Sequence, residues 1–555
     1  MSANVYGIDL GTTYSCIAFI DEYQRPDVIE NIDGEKTTPS VVYFEGPNNV
    51  VVGKHAKSEA KINPEMVVQL IKREMGDEDW QIEAFGETYN PIRISSIIIE
   101  QIVKDASERL PEPVTDVVIT VPAYFGGRER EATRQAGIAA GLNVHSIIPE
   151  PMAAAIFHGL DDEEEGAVMV YDLGGGTFDI TIIKLQDRSC EAIATGGNKL
   201  LGGADWDAIM AMLIADKVAT QAGVAQDEVT GTPVTWNDIL VEAEGLKKSL
   251  SRKETAATSI GFGEGDKHAR YTVEITREEF DEATSSELER TIEYSKQVIA
   301  EAASKGVDTI DKIVLVGGST KMPQVRERLE QEFDCPLEMS EPDLAVAKGA
   351  AMFGRKVQID AWLEEWAGLE GGSYKDMSDE DKEKGVQKFS DEFDIPVATI
   401  ETYVDKVITP ITPKSFGILA HPSRDHDRKA CFNLILYNQA VPVSVASSDF
   451  STREENQPSL RIQCMENLRD STEPFFDYDE EDMIGEAVLE LPPNLPAHSE
   501  LYIELGYTED GRVDLLAREP RSGMEVSSRF EPKGVLSEEE LEEMKRKNQR
   551  LTISS

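Results

Sequence analysis

VYGIDLGTTYS (5–15) and VMVYDLGGGTFDI (168–180) each end an apolar strand on an aspartate and follow it with glycines and a threonine. Glycines at that place let a tight turn bring backbone N–H groups against phosphate oxygens, which a Cβ would hold off. The aspartate that closes each strand, Asp9 and Asp172, is suited to holding a hydrated Mg2+ beside the phosphates. One such string alone is equally an ordinary glycine-rich hairpin. Two copies, one subdomain apart, can grip a single polyphosphate from both sides. KIVLVGGSTKMP (312–323) is a third strand running into paired glycines, and Gly317 and Gly318 would let a nucleoside lie flat on the backbone. No G-x-x-x-x-G-K-[ST] string occurs and no G-x-G-x-x-G opens a helix, so neither a Walker-type nor a dinucleotide site is supported.

Outward from these loops, residues 5 to 353 alternate β-branched runs with helical periodicity, as in VVITVPAYF (117–125) followed by REREATRQAGIAAGL (128–142). That alternation predicts an α/β domain with a mixed sheet. From Val357 to Val404 the character changes, with DMSDEDKEKGVQKFSDEFD (376–394) offering charges and few core residues. This stretch is expected to be a connector with one or two solvated helices. After Thr409 come short alternating segments, FNLILYN (432–438), SLRIQCM (459–465), AVLELPP (487–493) and LYIELGY (501–507), which predict an antiparallel β-sandwich. Ser537 with Glu540 makes a capping box that opens one short closing helix.

A chain of 555 residues is too long for one core, so several domains are expected. Its formal net charge of −49 opposes nucleic acid or an anionic membrane as main partner, because the long-range field repels phosphate. The acidity fits adaptation to high salt and a strongly solvated surface alike. No basic patch followed by an apolar core stands after Met1, and no apolar run spans a bilayer, so a cytoplasmic location is expected. Cys16, Cys190, Cys335, Cys431 and Cys464 are odd in number and lack CxxC spacing, which predicts buried thiols and neither disulfides nor zinc.

IDLGTTYS, NPEMVVQLIKREMG, VVITVPAYF, PEPMAAA, YDLGGGTFDI, LGGADWD and VLVGGST, in that order, resemble the nucleotide-binding-domain signatures of the seventy-kilodalton heat-shock chaperones. The likeness covers residues 5 to 356, with a shorter stretch between Met75 and Val117. It implies a two-lobed, actin-like ATPase domain at 1–356, an acidic insertion and linker at 357–408, a peptide-binding sandwich at 409–532 and a truncated lid helix at 533–555. It implies an ATP-dependent chaperone with ATP/ADP, Mg2+ and K+ as cofactors. Unfolded or extended polypeptide would be the substrate, and a J-domain co-chaperone and a nucleotide exchange factor the partners.

The resemblance also assigns positions. Asp9, Gly11, Thr12, Thr13 and Tyr14 are similar to the first phosphate loop, and Asp172, Gly174, Gly175, Gly176, Thr177 and Asp179 to the second; Gly202 and Gly203 follow in LGGADWD. Lys72 stands at the family's catalytic lysine, on what the sequence predicts to be a helix with Asn63 as N-cap, Pro64 at N1 and Met66, Leu70 and Ile71 on one face. Without the family, Lys72 reads as a solvated side chain. Glu150 resembles the carboxylate that orders the attacking water, and otherwise reads as a helix N-terminal charge. Pro122 and the Arg130 helix resemble the relay of nucleotide state. Glu244, Lys247, Lys248 and Ser251 match the helix that clamps the base, with Lys248 where the family usually has Arg; Gly317, Gly318, Ser319 and Asp343 complete the nucleoside side. Phe450, Leu460 and Ile462 fall where the family lines its peptide channel, and strand alternation alone would also turn them inward. The family's short apolar linker has no clean counterpart, KVITPITP (406–413) standing in its place. The alternatives are a nucleotide-switched regulator without general peptide affinity and, with less support, a sugar or acetate kinase.

Overall fold

The computed structural model describes residues 4–159, 165–186, 189–263, 268–370, 373–422, 428–467, 473–479, 482–508, 511–530 and 536–555. The expected boundary at 532/533 and residues 534 and 535 of the closing motif lie outside them. Two six-stranded sheets repeat one plan. In the first, Tyr6–Asp9 makes an antiparallel hairpin with Tyr14–Ile20 and lies parallel to Asp116–Val121, which Asn143–Pro149 extends. In the second, Gly166–Leu173 pairs antiparallel with Phe178–Gln186 and parallel with Lys312–Val316. These strands are near-continuous apolar runs because helices cover them. Between the sheets, the helices Glu150–Gly159 and Ala345–Leu369 meet through Ala153, Ala154, Ala347, Ala350 and Ala351, all buried side chains small enough for close approach. No helix among the described residues is long and apolar enough to cross a membrane. Cys16, Cys190, Cys431 and Cys464 are buried and Cys335 is half-buried, all five as free thiols.

The expected connector is instead built into the first core. The Ala345–Leu369 helix runs straight past residue 356, and Asp379–Phe393 and Val397–Val404 pack against it. Ile359 and Leu363 meet Val386, Phe389, Ile395, Ile400 and Tyr403 in the core that also holds Val5, Ile20 and Val118. Few apolar positions suffice there because they repeat at helical spacing, as Val386 and Phe389 do. The linker expectation is corrected too. Val407–Thr409 forms a strand parallel to Ser189–Asn198, the sixth of the second sheet, and Lys406 Nζ donates to the Gly159 carbonyl at 3.2 Å.

Beyond the linker, a five-stranded and a four-stranded antiparallel sheet share one core, in which Phe416, Ile418, Ile462 and Leu489 of the first meet Leu501, Ile503, Leu505 and Leu515 of the second. This β region touches both parts of the domain built on the two six-stranded sheets. Glu466 Oε1 accepts the Gly127 N–H at 3.2 Å, Asn438 Nδ2 donates to Glu301 at 2.6 Å, and Lys305 Nζ donates to the Asn438 carbonyl at 3.0 Å.

The closing helix Glu538–Asn548 begins at Ser537 with the anticipated capping box. It packs on the helices Pro91–Arg109 and Gly127–Ala139 beside the first six-stranded sheet, which corrects its expected place as a truncated lid helix. Gln135 exchanges two 2.8 Å hydrogen bonds with the Leu536 backbone, and buried Asn548 accepts from Arg93 Nε and donates to Ser96 Oγ at 2.7 Å. Thr552–Ser554 then adds a strand parallel to Asn49–Val52, with Met544 and Ile553 in the adjoining core. Ile553→Ala is expected to cost about 2 kcal/mol locally. Hydrogen exchange of the Asn49–Val52 amides should then accelerate about thirty-fold, with the second six-stranded sheet unchanged.

Candidate nucleotide site

Each six-stranded sheet presents the turn of its central hairpin to the other. A Cβ on Gly175 would stand 2.0 Å from Thr13 Oγ1, and one on Gly176 would stand 2.3 Å from Thr12 Cγ2, so only glycine lets the two loops meet. Gly174 N–H closes its turn on the Thr177 carbonyl at 3.0 Å, and the Gly174 carbonyl accepts from Gly203 N–H and from Ser319 Oγ, both at 2.9 Å. Ala204 N–H reaches the Gly175 carbonyl at 2.7 Å. The second loop, the Gly202–Gly203 turn and the third glycine pair are thereby fixed to one another. Gly317 needs its positive φ of 83° because it passes directly over Leu173 and Asp172.

Lys72 lies behind the loops, 4% exposed, ion-paired with Glu150 at the first turn of its helix. The long helix expected around it does not form. Asn63 precedes a 3-10 turn, Pro64–Met66, without a side-chain cap bond; Val67–Val68 pairs with Val42–Gly46; Leu70 is left-handed; and a second 3-10 turn, Ile71–Glu74, carries Lys72. Two adjacent valines that find a sheet edge stay extended, and tertiary pairing overrides the helical spacing. The neighbouring Arg73 holds the Gly176 carbonyl at 2.9 and 2.7 Å and reaches Asp205 at 3.1 Å, spanning the cleft. It was hidden in the sequence as one more charge in IKREMG.

Three buried carboxylates, Glu150, Asp172 and Asp179, and the half-buried Asp9 surround this point. Burial, then the charge of Glu150, pushes Asp9 up to about 7 against the pull of Lys72. Burial and the same neighbour raise Asp172 and Asp179 well above the carboxylate range. Asp179 accepts the Ala123 N–H at 3.0 Å, while its Oδ2 is buried and has no hydrogen-bond partner among the described residues. Lys72 alone does not offset this much buried negative charge. The donor set therefore fits a divalent cation, and an orphaned oxygen fits a water of its hydration shell. Among the described residues no three acidic, imidazole or thiol groups come close enough to ligate a metal directly.

On the nucleoside side, Glu244 and Lys248 of the helix Pro233–Leu250 join Tyr14. Glu244 accepts from the Tyr14 hydroxyl at 3.1 Å, from Lys57, and from Lys248 at 2.7 Å. Burial opposes its ionisation, but Lys57 and Lys248 outweigh burial and hold it at about 2. The ammonium groups of Lys57 and Lys248 lie 4.9 and 4.5 Å from the centre of the Tyr14 ring. Lys247 turns to the Gly203 carbonyl and Asp207, both at 2.8 Å. Gly318 approaches Asp343, which pairs with Lys321. Ser251 does not join, since its hydroxyl folds back on the Lys247 carbonyl at 3.2 Å. Phe450, Leu460 and Ile462 lie in the β region. Ile462 is 1% exposed within the shared core and offers no surface, whereas Phe450 and Leu460 are partly buried beside it.

The Hsp70 protein family model matches residues 5–85 and 77–359. Chaperone protein DnaK of two strains of Halobacterium salinarum is in each case 33% identical over 98% of this chain and 77% of the relative's length. The chain belongs to the Hsp70 family. This Hsp70 is an ATP-dependent chaperone, its enzymatic activity is ATP hydrolysis, and it binds unfolded polypeptide. The family binds nucleotide, typically with Mg2+. Lys248 already serves Glu244 and Tyr14, and an ammonium stacks less well on a base than a guanidinium. Lys248→Arg is expected to tighten ATP binding by about threefold to tenfold, measured by calorimetry; an unchanged or weaker affinity refutes it.

Proposed function

We propose that a two-lobed, actin-like ATPase unit hydrolyses ATP between the facing loops and thereby sets the affinity of a β-sandwich for extended apolar segments. The meeting of Gly175 with Thr13 and of Gly176 with Thr12, over the Lys72–Glu150 pair, carries this reading. Gly11, Thr12, Thr13, Gly174, Gly175, Gly176, Gly202 and Gly203 bind phosphate by backbone N–H groups. Tyr14, Glu244, Lys247, Lys248, Gly317, Gly318, Ser319 and Asp343 hold the nucleoside; Ser251 stays on the rim. Asp9 and Asp172 would hold Mg2+ through water, and that ion supplies charge neutralisation to the phosphates. Lys72 neutralises charge developing at the γ-phosphate, Glu150 orients the attacking water, and Thr177 and Asp179 fix the second loop around it.

Asp179 holds Ala123 beside Pro122, and Arg130 Nε donates to the Phe125 carbonyl at 2.8 Å on the segment that carries Gly127 to Glu466. That chain of bonds supports passage of nucleotide state to the β region, with ATP favouring the docked arrangement and ADP tighter peptide binding. Phe450 and Leu460 would meet the peptide, with Ile462 reached only if the sandwich opens. K+, a J-domain co-chaperone, a nucleotide exchange factor and a cytoplasmic setting belong to the same proposal through the family.

Thr177→Ala tests it. Hydrolysis should slow about tenfold to a hundredfold while Mg-ATP binding stays within about threefold. Short apolar peptides should raise wild-type turnover and be released faster with ATP than with ADP. Peptide affinity identical in both nucleotide states would overturn the coupling, and no calorimetric heat with Mg-ATP or Mg-ADP would overturn the whole.

A further inference from the structure

Gln358, Trp362, Trp366, Leu369, Lys388 and Phe393 line a groove of about 680 Å³ between the end of the Ala345–Leu369 helix and the Asp379–Phe393 helix. The family-model match ends at residue 359, where this surface begins. Its floor is aromatic: Trp362, Trp366 and Phe393, with Trp362 packed edge-on against Phe389 at 5.3 Å between ring centres. Gly385 allows Trp366 to lie flat on the facing helix, since a Cβ there would stand 2.6 Å from its ring. Trp366 Nε1 is shielded from solvent and finds no acceptor among the described residues, which leaves a donor waiting in an apolar setting. Leu369 at the mouth is 83% exposed. A wide aromatic floor with an open leucine at its lip is the composition of a contact surface.

The rim selects the occupant. Glu365, Asp391 and Glu392 line it, and Lys388, lying 5.2 Å over the Trp366 ring, is its single cation. Residues 357–404 carry thirteen acidic side chains against four lysines. A second copy, itself at −49, would be repelled from this rim, and so would any acidic helix. A segment with lysine or arginine on one side and leucine or phenylalanine on the other satisfies both floor and rim: apolar side chains cover the indoles and cations meet the carboxylates.

We infer that the groove between the Ala345–Leu369 and Asp379–Phe393 helices is a docking site for a basic amphipathic helix of a partner protein, separate from the peptide-binding β region. Partners brought there would be selected by charge, whereas chaperone substrates are selected by apolar sequence.

The test uses the full chain with two synthetic sixteen-residue amphipathic helices, one of lysine and leucine and one of glutamate and leucine. Indole N–H resonances of Trp362 and Trp366 are followed by NMR during titration. The basic helix is expected to shift both and the acidic helix neither. The triple variant Glu365→Lys, Asp391→Lys, Glu392→Lys changes only exposed rim positions, so its ATPase activity and circular dichroism should match wild type. It should bind the basic helix at least about tenfold more weakly, with the wild-type affinity falling as salt rises. The inference is overturned if the basic helix binds without moving either indole, which would place it in the β region. Equal binding of the acidic helix, unchanged affinity in the triple variant, or no binding of either helix also overturns it. So does dimerisation of the chain through this face, which would make a second copy the occupant.

Discussion

Lys72→Ala is expected to reduce ATP turnover by at least about a hundredfold while Mg-ADP affinity stays within about tenfold. Lys72 is buried, pairs with Glu150, and pulls against the burial that raises Asp9, Asp172 and Asp179. Its removal also leaves buried Glu150 without its partner, a change that costs on the order of 3–5 kcal/mol at buried pairs. Loss of activity alone would therefore not separate chemistry from folding. The double variant Lys72→Ala, Glu150→Gln does, because it deletes the stranded charge. Its thermal midpoint should recover toward wild type while turnover stays low. Normal hydrolysis by Lys72→Ala would remove Lys72 from the reaction, and recovered turnover in the double variant would show that its role was only structural.

The second large effect lies 8% exposed between the domains, at Glu466. Burial first, then the charge of Glu129, pushes its carboxyl from an ordinary value near 4.5 up to about 7, although Gly127 N–H pulls the other way. The docked arrangement therefore favours the protonated form, and docking takes up a proton. The contribution is fully present below the ordinary value and is lost as pH rises through about 7, an effect on the order of 3 kcal/mol. Glu466→Gln cannot ionise. A fluorescence distance pair across the nucleotide domain and the β region should show wild-type docking weakening between about pH 5 and 7, and the variant holding docked at pH 8. Parallel curves for the two proteins would mean that another group governs the contact.

The facing glycine turns were legible in the sequence because their chemistry is local. A strand ending in Asp9 or Asp172 and a run of small residues fix the turn within a few positions, and two such turns implied a shared ligand. What failed was long-range. The Lys72 segment has helical spacing and a good N-terminal pair in Asn63 and Pro64, yet Val67 and Val68 found a sheet edge formed by Val42 and Tyr43. Residues 357–404 looked solvated because in the stretch 376–394 charges outnumber apolar groups, although Val386, Phe389, Ile395 and Ile400 repeat closely enough to bury a face. Arg73 and Glu466 gave no signal of their own. Each acts through a backbone group far away in the chain, Gly176 and Gly127, and nothing in a string of residues reports which carbonyl or amide will arrive beside a charge.

Thr552–Ser554 supplies the outer strand of a small sheet whose next strand, Asn49–Val52, lies about five hundred residues earlier. If that short ribbon peels away, a row of backbone donors and acceptors stands open beside the cavity left by Ile553. The nearest replacement at high concentration is the same ribbon from a neighbouring molecule, which fits the vacated edge by identical bonds. Heating a concentrated stock and cooling it slowly should thus trade self-contained monomers for reciprocally exchanged dimers, and dilution before cooling should prevent the trade.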